Sequence, residues 1–444
     1  MEPLRGEEVT VAETTVTTRG CPVDHAPVRT VLDTDTRPRF AWATGTETIA
    51  ARGAAATITG SGGSRFGDVR TAARTLFDDH DVPETLPSVA RPRLFGGFAF
   101  HDGDHDGESP WEGFPGAGFF LPAVQLTVRD GDAWLTVSAT GPEADRTADE
   151  RLAAWRTELS TLADEPQSEP PGIAGRERTP SQSAWRRQVR AAIEKVDRGD
   201  LRKVVLAQAL RVSLEAELSV PDVLARLAET YPDCYRFMFS PVDAGTFFGA
   251  TPERLVSVRG RTVRTEALAG STGRGDTPAE DEWLAKELLE SEKDRHEHQL
   301  VADAIRDQLA PFATSIRTGE RTVRRLATVQ HLRTSITAEL GDDEHVLDLV
   351  EALHPTPAVG GLPPDAALRT IRDTEAFDRG WYAAPIGWLD GSGNGTFAVG
   401  IRSAVARDRT ATLFAGAGIV SDSDPDREWD EVQLKYRPML DELE

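Results

Sequence analysis

One lysine, one glutamate and two acidic helix faces are the residues whose types and spacing could do chemistry in this chain of 444 residues. Only five of its 50 basic residues are lysines, namely Lys195, Lys203, Lys286, Lys293 and Lys435, which leaves 45 arginines. A sequence that takes arginine almost everywhere should keep lysine where arginine cannot serve. A guanidinium stays protonated, whereas an amine can give up its proton and act as a base. Lys203 opens a β-branched run to Ser213 that reads as a strand, so it is either a base candidate or a strand-edge cap. Glu253 sits in Phe247-Phe-Gly-Ala-Thr-Pro-Glu-Arg-Leu255, where Pro252 makes a tight turn beside an apolar run. Burial there would raise the carboxyl pKa and keep it protonated as an acid; exposure would leave an ordinary surface glutamate.

The acidic faces come from two helical segments. In Ser291-Glu-Lys-Asp-Arg-His-Glu-His298, the residues Asp294, Glu297 and His298 fall at i, i+3 and i+4 on one face. Near the carboxyl end, Asp424 reads as an N-cap with Pro425 at the first helical position, and Glu428, Glu431 and Lys435 then share a face. Either face alone could be a charged solvent surface. Together, carboxylates from two helices suit Mg²⁺, a hard ion that keeps waters and needs only one or two protein ligands. Zinc through His296 and His298 fits poorly, because residues two apart on a helix do not converge.

The elements that must position these groups read as α+β with antiparallel sheets, helical and extended segments following each other without a regular βαβ alternation. Residues 1–163 mix short strand-like runs with Gly-, Asp- and Pro-rich loops, among them a buried strand at Leu94–Phe100. Residues 164–183 turn to Pro, Ser, Gln and Glu and read as a linker or surface loop; residues 184–444 carry the chemistry. A helix is expected over Ala184–Arg198, strands around 236–240, 246–249 and 255–258, and one long helix over Asp281–Leu309. The acidic stretch His101–Glu108 matches no EF-hand spacing and reads as a loop.

Composition excludes several function classes. With 73 acidic residues and a formal charge of −23, the chain lacks the basic footprint that nucleic acid or an anionic membrane requires. No run of about 18 apolar residues offers a membrane span. Cys21 and Cys234 build no disulfide framework, which fits a reducing cytoplasm. Met1–Thr18 has neither a basic start nor an apolar run, so no signal peptide is expected. Excess acid with few lysines resembles the proteins of salt-accumulating, halophilic archaea, where high ionic strength screens self-repulsion; unchanged stability after dialysis to low salt would count against that habitat.

In order along the chain, Lys203-Val-Val-Leu-Ala, Gly249-Ala-Thr-Pro-Glu-Arg-Leu255, Glu266-Ala-Leu-Ala-Gly-Ser271 and Lys293-Asp-Arg-His-Glu-His298 resemble the chorismate-utilising enzymes. So do Leu353-His-Pro-Thr-Pro-Ala-Val-Gly-Gly361, Arg379-Gly-Trp-Tyr-Ala-Ala-Pro-Ile-Gly-Trp388, Phe397-Ala-Val-Gly-Ile-Arg-Ser403, Gly416-Ala-Gly-Ile-Val420 and Glu428-Trp-Asp-Glu-Val-Gln-Leu-Lys435. That family includes isochorismate, salicylate, anthranilate and aminodeoxychorismate synthases. The resemblance covers about Trp185 to the end and is faint before residue 164. It implies large antiparallel sheets packed face to face with helices outside, a Mg²⁺ cofactor, and chorismate as substrate. By position it implies Lys203 as the base that activates water and Glu253 as the acid that protonates the departing C4 hydroxyl. Glu297 and Glu431 fall on the magnesium ligands, with Asp294 and Glu428 nearby through water. Tyr382, Arg402 and Lys435, with the backbone at Gly416, fall on groups that hold the substrate carboxylates, while Gly270, Ser271 and Ala358 fall on loops around the ring.

Within the family, Lys203 argues against the amine-adding branch, and the Glu266–Ser271 loop has no lysine nucleophile, so no glutaminase subunit is implied. The motifs look most like isochorismate synthase, working as a single chain and feeding menaquinone synthesis. Salicylate synthase, which continues to pyruvate elimination, is the rival reading, and a non-catalytic metal-binding module is the remote one. One departure stands out. Gln208 replaces an arginine frequent in the family, which bears on substrate affinity.

Overall fold

The computed structural model describes residues 15–102, 109–163, 166–341 and 344–444. The expectation for Met1–Thr18 thus lies mostly outside the described residues, as does that for His101–Glu108. The β-branched and aromatic runs form one continuous, mostly antiparallel network. From Lys203–Leu214 it passes through Thr410–Ile419, Ser403–Arg407, Thr246–Thr251, Tyr235–Ser240, Arg39–Ala43 and Glu47–Gly60. It continues through Ala117–Arg129, Arg93–Phe98, Pro385–Asp390, Gly395–Val399, Arg254–Arg259, Thr262–Gly273 and Val329–Leu340, ending at Ala313–Arg325. The expected antiparallel architecture is present, with its sheets joined into one network. Strands from residues 1–163 pair with strands beyond 184, so that sequence division is not an edge in the sheet.

The network folds back on itself around an aromatic core. Phe239 stacks on Trp381 at 4.9 Å, Phe40 meets Phe95 at 5.1 Å, and Trp111 lies 5.2–5.3 Å from Phe247 and Phe414. Rings this large, fully buried, supply much of the apolar area that drives the limbs together. The chain crosses between limbs twice in adjacent places: at Pro252-Glu253, between Thr246–Thr251 and Arg254–Arg259, and at Gly400-Ile401-Arg402, between Gly395–Val399 and Ser403–Arg407. The crossings are tied by Val399 N–H to Glu253 C=O at 3.0 Å and Ala250 N–H to Arg402 C=O at 3.1 Å.

Two expectations are corrected. The single helix over Asp281–Leu309 is two, Pro278–Glu290 and Glu292–Leu309, because Ser291 leaves the helical conformation and its hydroxyl accepts from the Asp294 N–H as an N-cap. Asp294, Glu297 and His298 therefore stand in the first turns of a helix, not at the middle of one. Within the stretch expected as linker, Ile173–Thr179 is an edge strand paired with Lys203–Leu214, and the next helix starts at Gln182. Its polar residues are those an exposed edge strand carries. At the carboxyl end Asp424 caps Pro425–Leu440 as expected, accepting from the N–H groups of Asp426 and Arg427. Among the described residues no helix is long and apolar enough to cross a membrane.

Candidate active site

A cavity of about 490 Å³ opens where the two crossings meet the two acidic helices, and all the site residues expected from sequence line it: Lys203, Glu253, Gly270, Ser271, Asp294, Glu297, Ala358, Tyr382, Arg402, Gly416, Glu428, Glu431 and Lys435. The helix Glu292–Leu309 packs on Thr262–Gly273 and Val329–Leu340, and Pro425–Leu440 packs on Thr410–Ile419, so their carboxylates reach the cavity from different limbs. Lys203 is buried at 2 % exposure, and its ammonium lies 2.8 Å from Glu297 Oε1. The room comes from Gly418, where a Cβ would stand 2.7 Å from Lys203 Cε and 2.9 Å from Glu297 Oε1. Lys203 is thus desolvated, and the charged neighbour in contact with it is a carboxylate.

The strand under Lys203 is clamped by Arg379, which donates to the Val205 and Val359 carbonyls at 2.8 Å and to Glu375; Glu375 accepts from the Ala207 N–H. Gln208 has the opposite parity to Lys203 and Val205 on this strand, so it points away from the cavity, and neither of its buried side-chain polar atoms is bonded among the described residues. Its departure from the family pattern does not reach the substrate space directly.

Glu253 is buried, with its pKa pushed up to about 7, first by desolvation and next by the Glu266 carboxylate. Glu266 is itself gripped by Arg333 at 2.5 Å and Arg324 at 3.3 Å, and Arg324 also donates to the Pro252 carbonyl at 2.7 Å. These arginines belong to a second cavity of about 480 Å³ behind the Pro252 turn, which takes in neither Lys203 nor Glu253.

At the other crossing, Arg402 holds φ at 51°, a left-handed conformation that costs a side-chain-bearing residue roughly 1 kcal/mol or more and persists where the fold over-determines it. The turn aims its guanidinium inward. Nη2 donates to His331 Nε2 at 3.2 Å, and the buried Nη1 has no hydrogen-bond partner among the described residues. Burial and then Arg402 hold His331 far below its usual range, so the ring is neutral. An Nε2 that accepts from arginine leaves the proton on Nδ1, which donates to Ser271 Oγ at 2.8 Å and leaves the Ser271 hydroxyl its own proton to donate. Tyr382 stacks on Phe414 at 5.2 Å, and burial raises its phenol to about 12, keeping it a neutral donor. An unpaired guanidinium nitrogen, a phenol, a serine hydroxyl and Lys435 make a cavity wall suited to carboxylates.

The sequence matches the chorismate binding enzyme family over residues 10–444. The chain belongs to that family. Among its relatives, it is 38 % identical over 430 residues to the salicylate biosynthesis isochorismate synthase of Pseudomonas aeruginosa, covering 95 % of this chain and 88 % of that one. To the isochorismate synthase MenF of Bacillus subtilis it is 36 % identical over 373 residues, 83 % and 78 % of the two chains. The fold superposes on MenF, the menaquinone-specific isochorismate synthase from Escherichia coli, with a TM-score of 0.81 at 26 % identity over 97 % and 95 % of the chains. Anthranilate synthase component I from Streptococcus pneumoniae shares the fold at a TM-score of 0.75 and 24 % identity.

In this chorismate-binding enzyme the donors suit a hard divalent ion: four carboxylates from the two acidic helices besides Glu253, no thiolate, and one imidazole, His331, already bonded on both nitrogens. Glu428 is pushed up to about 7 by burial and by neighbouring Glu431, a repulsion that a divalent cation would relieve. Asp294 is likewise raised, first by burial, while at Glu297 burial is opposed by Lys203, Lys435 and Lys293, which together lower it. His298 is turned into the core, bonded to the Ala269 carbonyl and Thr334, and His296 is exposed, so the two do not meet. Sequence reasoning missed His331 and assigned no specific role to Lys293 or Glu266. His331 lies in an ordinary alternating strand with nothing in its neighbours to mark it.

Proposed function

We propose that this enzyme is an isochorismate synthase, dependent on Mg²⁺, that moves hydroxyl from C4 to C2 of chorismate by attack of water with allylic shift. The observation that carries the proposal is one cavity lined by both a lysine and a carboxyl whose pKa is raised to about 7, since the reaction needs a base and an acid at one ring. In this reading Lys203 accepts a proton from the attacking water, and Glu253 hands its proton to the departing C4 hydroxyl. Arg402, Tyr382, Ser271 and Lys435 hold the two substrate carboxylates, with Gly270, Ala358 and Gly416 shaping the walls. Glu297 and Glu431 would hold the magnesium, assisted by Asp294 and Glu428 through water; bound there, it supplies positive charge for a substrate carboxylate in a chain of charge −23.

The names of the relatives support isochorismate as product, and that of the Escherichia coli enzyme supports menaquinone synthesis as its use; a cytoplasmic enzyme acting as a single chain without a glutaminase subunit completes the proposal. Enzyme, chorismate and Mg²⁺ should yield isochorismate alone when products are separated by chromatography. Salicylate with pyruvate would instead make it a salicylate synthase, and no turnover at low or high salt would leave a binding module. Glu431→Ala should raise the Mg²⁺ concentration for half-maximal rate by more than about tenfold. An unchanged Mg²⁺ titration would put the ion elsewhere.

A further inference from the structure

Three of the five lysines in the chain end on three of the four carboxylates that the acidic helices bring to the cavity. Lys203 Nζ lies 2.8 Å from Glu297, Lys435 Nζ 2.5 Å from Glu431, and Lys293 Nζ 3.8 Å from Glu428. Lys435 also donates to the Gly416 carbonyl at 2.8 Å. The other two lie outside the cavity: Lys286 is a surface residue beside Glu290, and Lys195 donates to Thr370. Among the described residues no arginine is paired with Glu297, Glu428 or Glu431, although arginine outnumbers lysine ninefold. A guanidinium would grip a carboxylate through a rigid two-pronged fork. An ammonium is a compact point charge on a flexible stem, able to leave without breaking a paired geometry.

The same contacts bear on how the carboxylates stand. Among the described residues no three carboxylate, imidazole or thiol side chains are arranged to hold an ion. Glu297, Glu428 and Glu431 are each turned to a different lysine, while Asp294 accepts from the Ser291 hydroxyl, so the carboxylates face separate partners and not a shared centre. A divalent cation and the lysines compete for the same oxygens.

We propose that Lys203, Lys293 and Lys435 are displaceable counter-ions, which neutralise these carboxylates in the cation-free enzyme and are moved off Glu297, Glu428 and Glu431 when Mg²⁺ binds. This rests on the carboxylates being the magnesium site. It adds a consequence for the order of events. While Lys435 is bonded to Glu431 and Gly416, and Lys203 to Glu297, neither is free to face the ring or its carboxylates. Cation binding releases both, so the metal prepares the substrate pocket before chorismate enters, and Lys293 is a positioning residue for that step.

Calorimetric titration of Mg²⁺ alone into the substrate-free protein tests this, together with crystal structures of the wild type with and without Mg²⁺. Lys203→Met should bind Mg²⁺ about tenfold more tightly and Lys293→Met about threefold, the sizes that a buried and a half-exposed ion pair allow. Lys286→Met makes the same charge change without touching the site, and its affinity should equal the wild type. The Lys203–Glu297 and Lys435–Glu431 contacts should open beyond 4 Å in the Mg²⁺-bound crystal. Unchanged or weaker binding in both site variants, an equal gain in Lys286→Met, or contacts that persist beside the bound ion would each overturn the counter-ion role while leaving the metal site standing. No heat of Mg²⁺ binding in any protein would overturn the metal assignment along with it.

Discussion

Lys203→Ala should lower kcat by roughly 10²–10⁴-fold, the range for one acid–base group, while chorismate still binds. The lysine lies on the cavity wall at the start of a strand whose backbone is fixed independently by Arg379, Glu375 and the Gly416–Ile419 pairing, so its removal leaves the pocket built. The substitution also strands the Glu297 carboxylate, and breaking a buried pair from one side costs stability. The kinetics should therefore be read at saturating Mg²⁺, where the cation compensates that charge, with thermal unfolding run in parallel. A variant that folds, binds chorismate and turns over near the wild-type rate would remove Lys203 from the mechanism.

How much of this was visible in the sequence differs between elements. The strand at Lys203 and the Asp424 cap were legible because both signals are local: a β-branched run, and a side chain that satisfies N–H groups two and three residues on. The break at Ser291 was not. Charged and apolar residues keep a helical rhythm on both sides of it, and a mid-segment serine reads as an ordinary helix residue until its hydroxyl is seen taking the Asp294 N–H. The strand Ile173–Thr179 was hidden because it is polar and gains its order from pairing with a distant strand, not from its own pattern.

For the site, residue identities were legible through motifs, and their contacts were not. Glu253 and Arg402 are far apart in the chain yet occupy adjacent crossings of one network, a juxtaposition set by strand order alone. The left-handed position in the Gly400-Ile401-Arg402 turn is the arginine and not the glycine, so the sequence does not announce it. The Lys203–Glu297 pair depends on the missing side chain of Gly418, and the neutral His331 that orients Ser271 depends on a buried arginine. Each of these is a long-range fact that a single sequence does not encode in any one window.

Glu253→Gln should be nearly inactive, again by roughly 10²–10⁴-fold, and at alkaline pH more stable than the wild type. Both effects follow from a carboxyl raised from its ordinary 4.5 to about 7. Because the folded value lies above the unfolded one, the protonated carboxyl contributes stability that is fully present below the unfolded value and is lost as pH rises through about 7. Glutamine keeps the shape without an ionisable proton. Its advantage should therefore be small at pH 5 and grow to on the order of 3 kcal/mol by pH 8, about 1.4 kcal/mol for each unit of the shift. Over the same interval the wild-type kcat/KM should fall as pH passes about 7, since the free enzyme then loses the proton it must give to the C4 hydroxyl. A stability difference that does not change between pH 5 and 8 would mean that Glu253 is ionised throughout and serves some purpose other than the acid, and a kcat/KM that holds level while that difference grows would separate its proton from the rate.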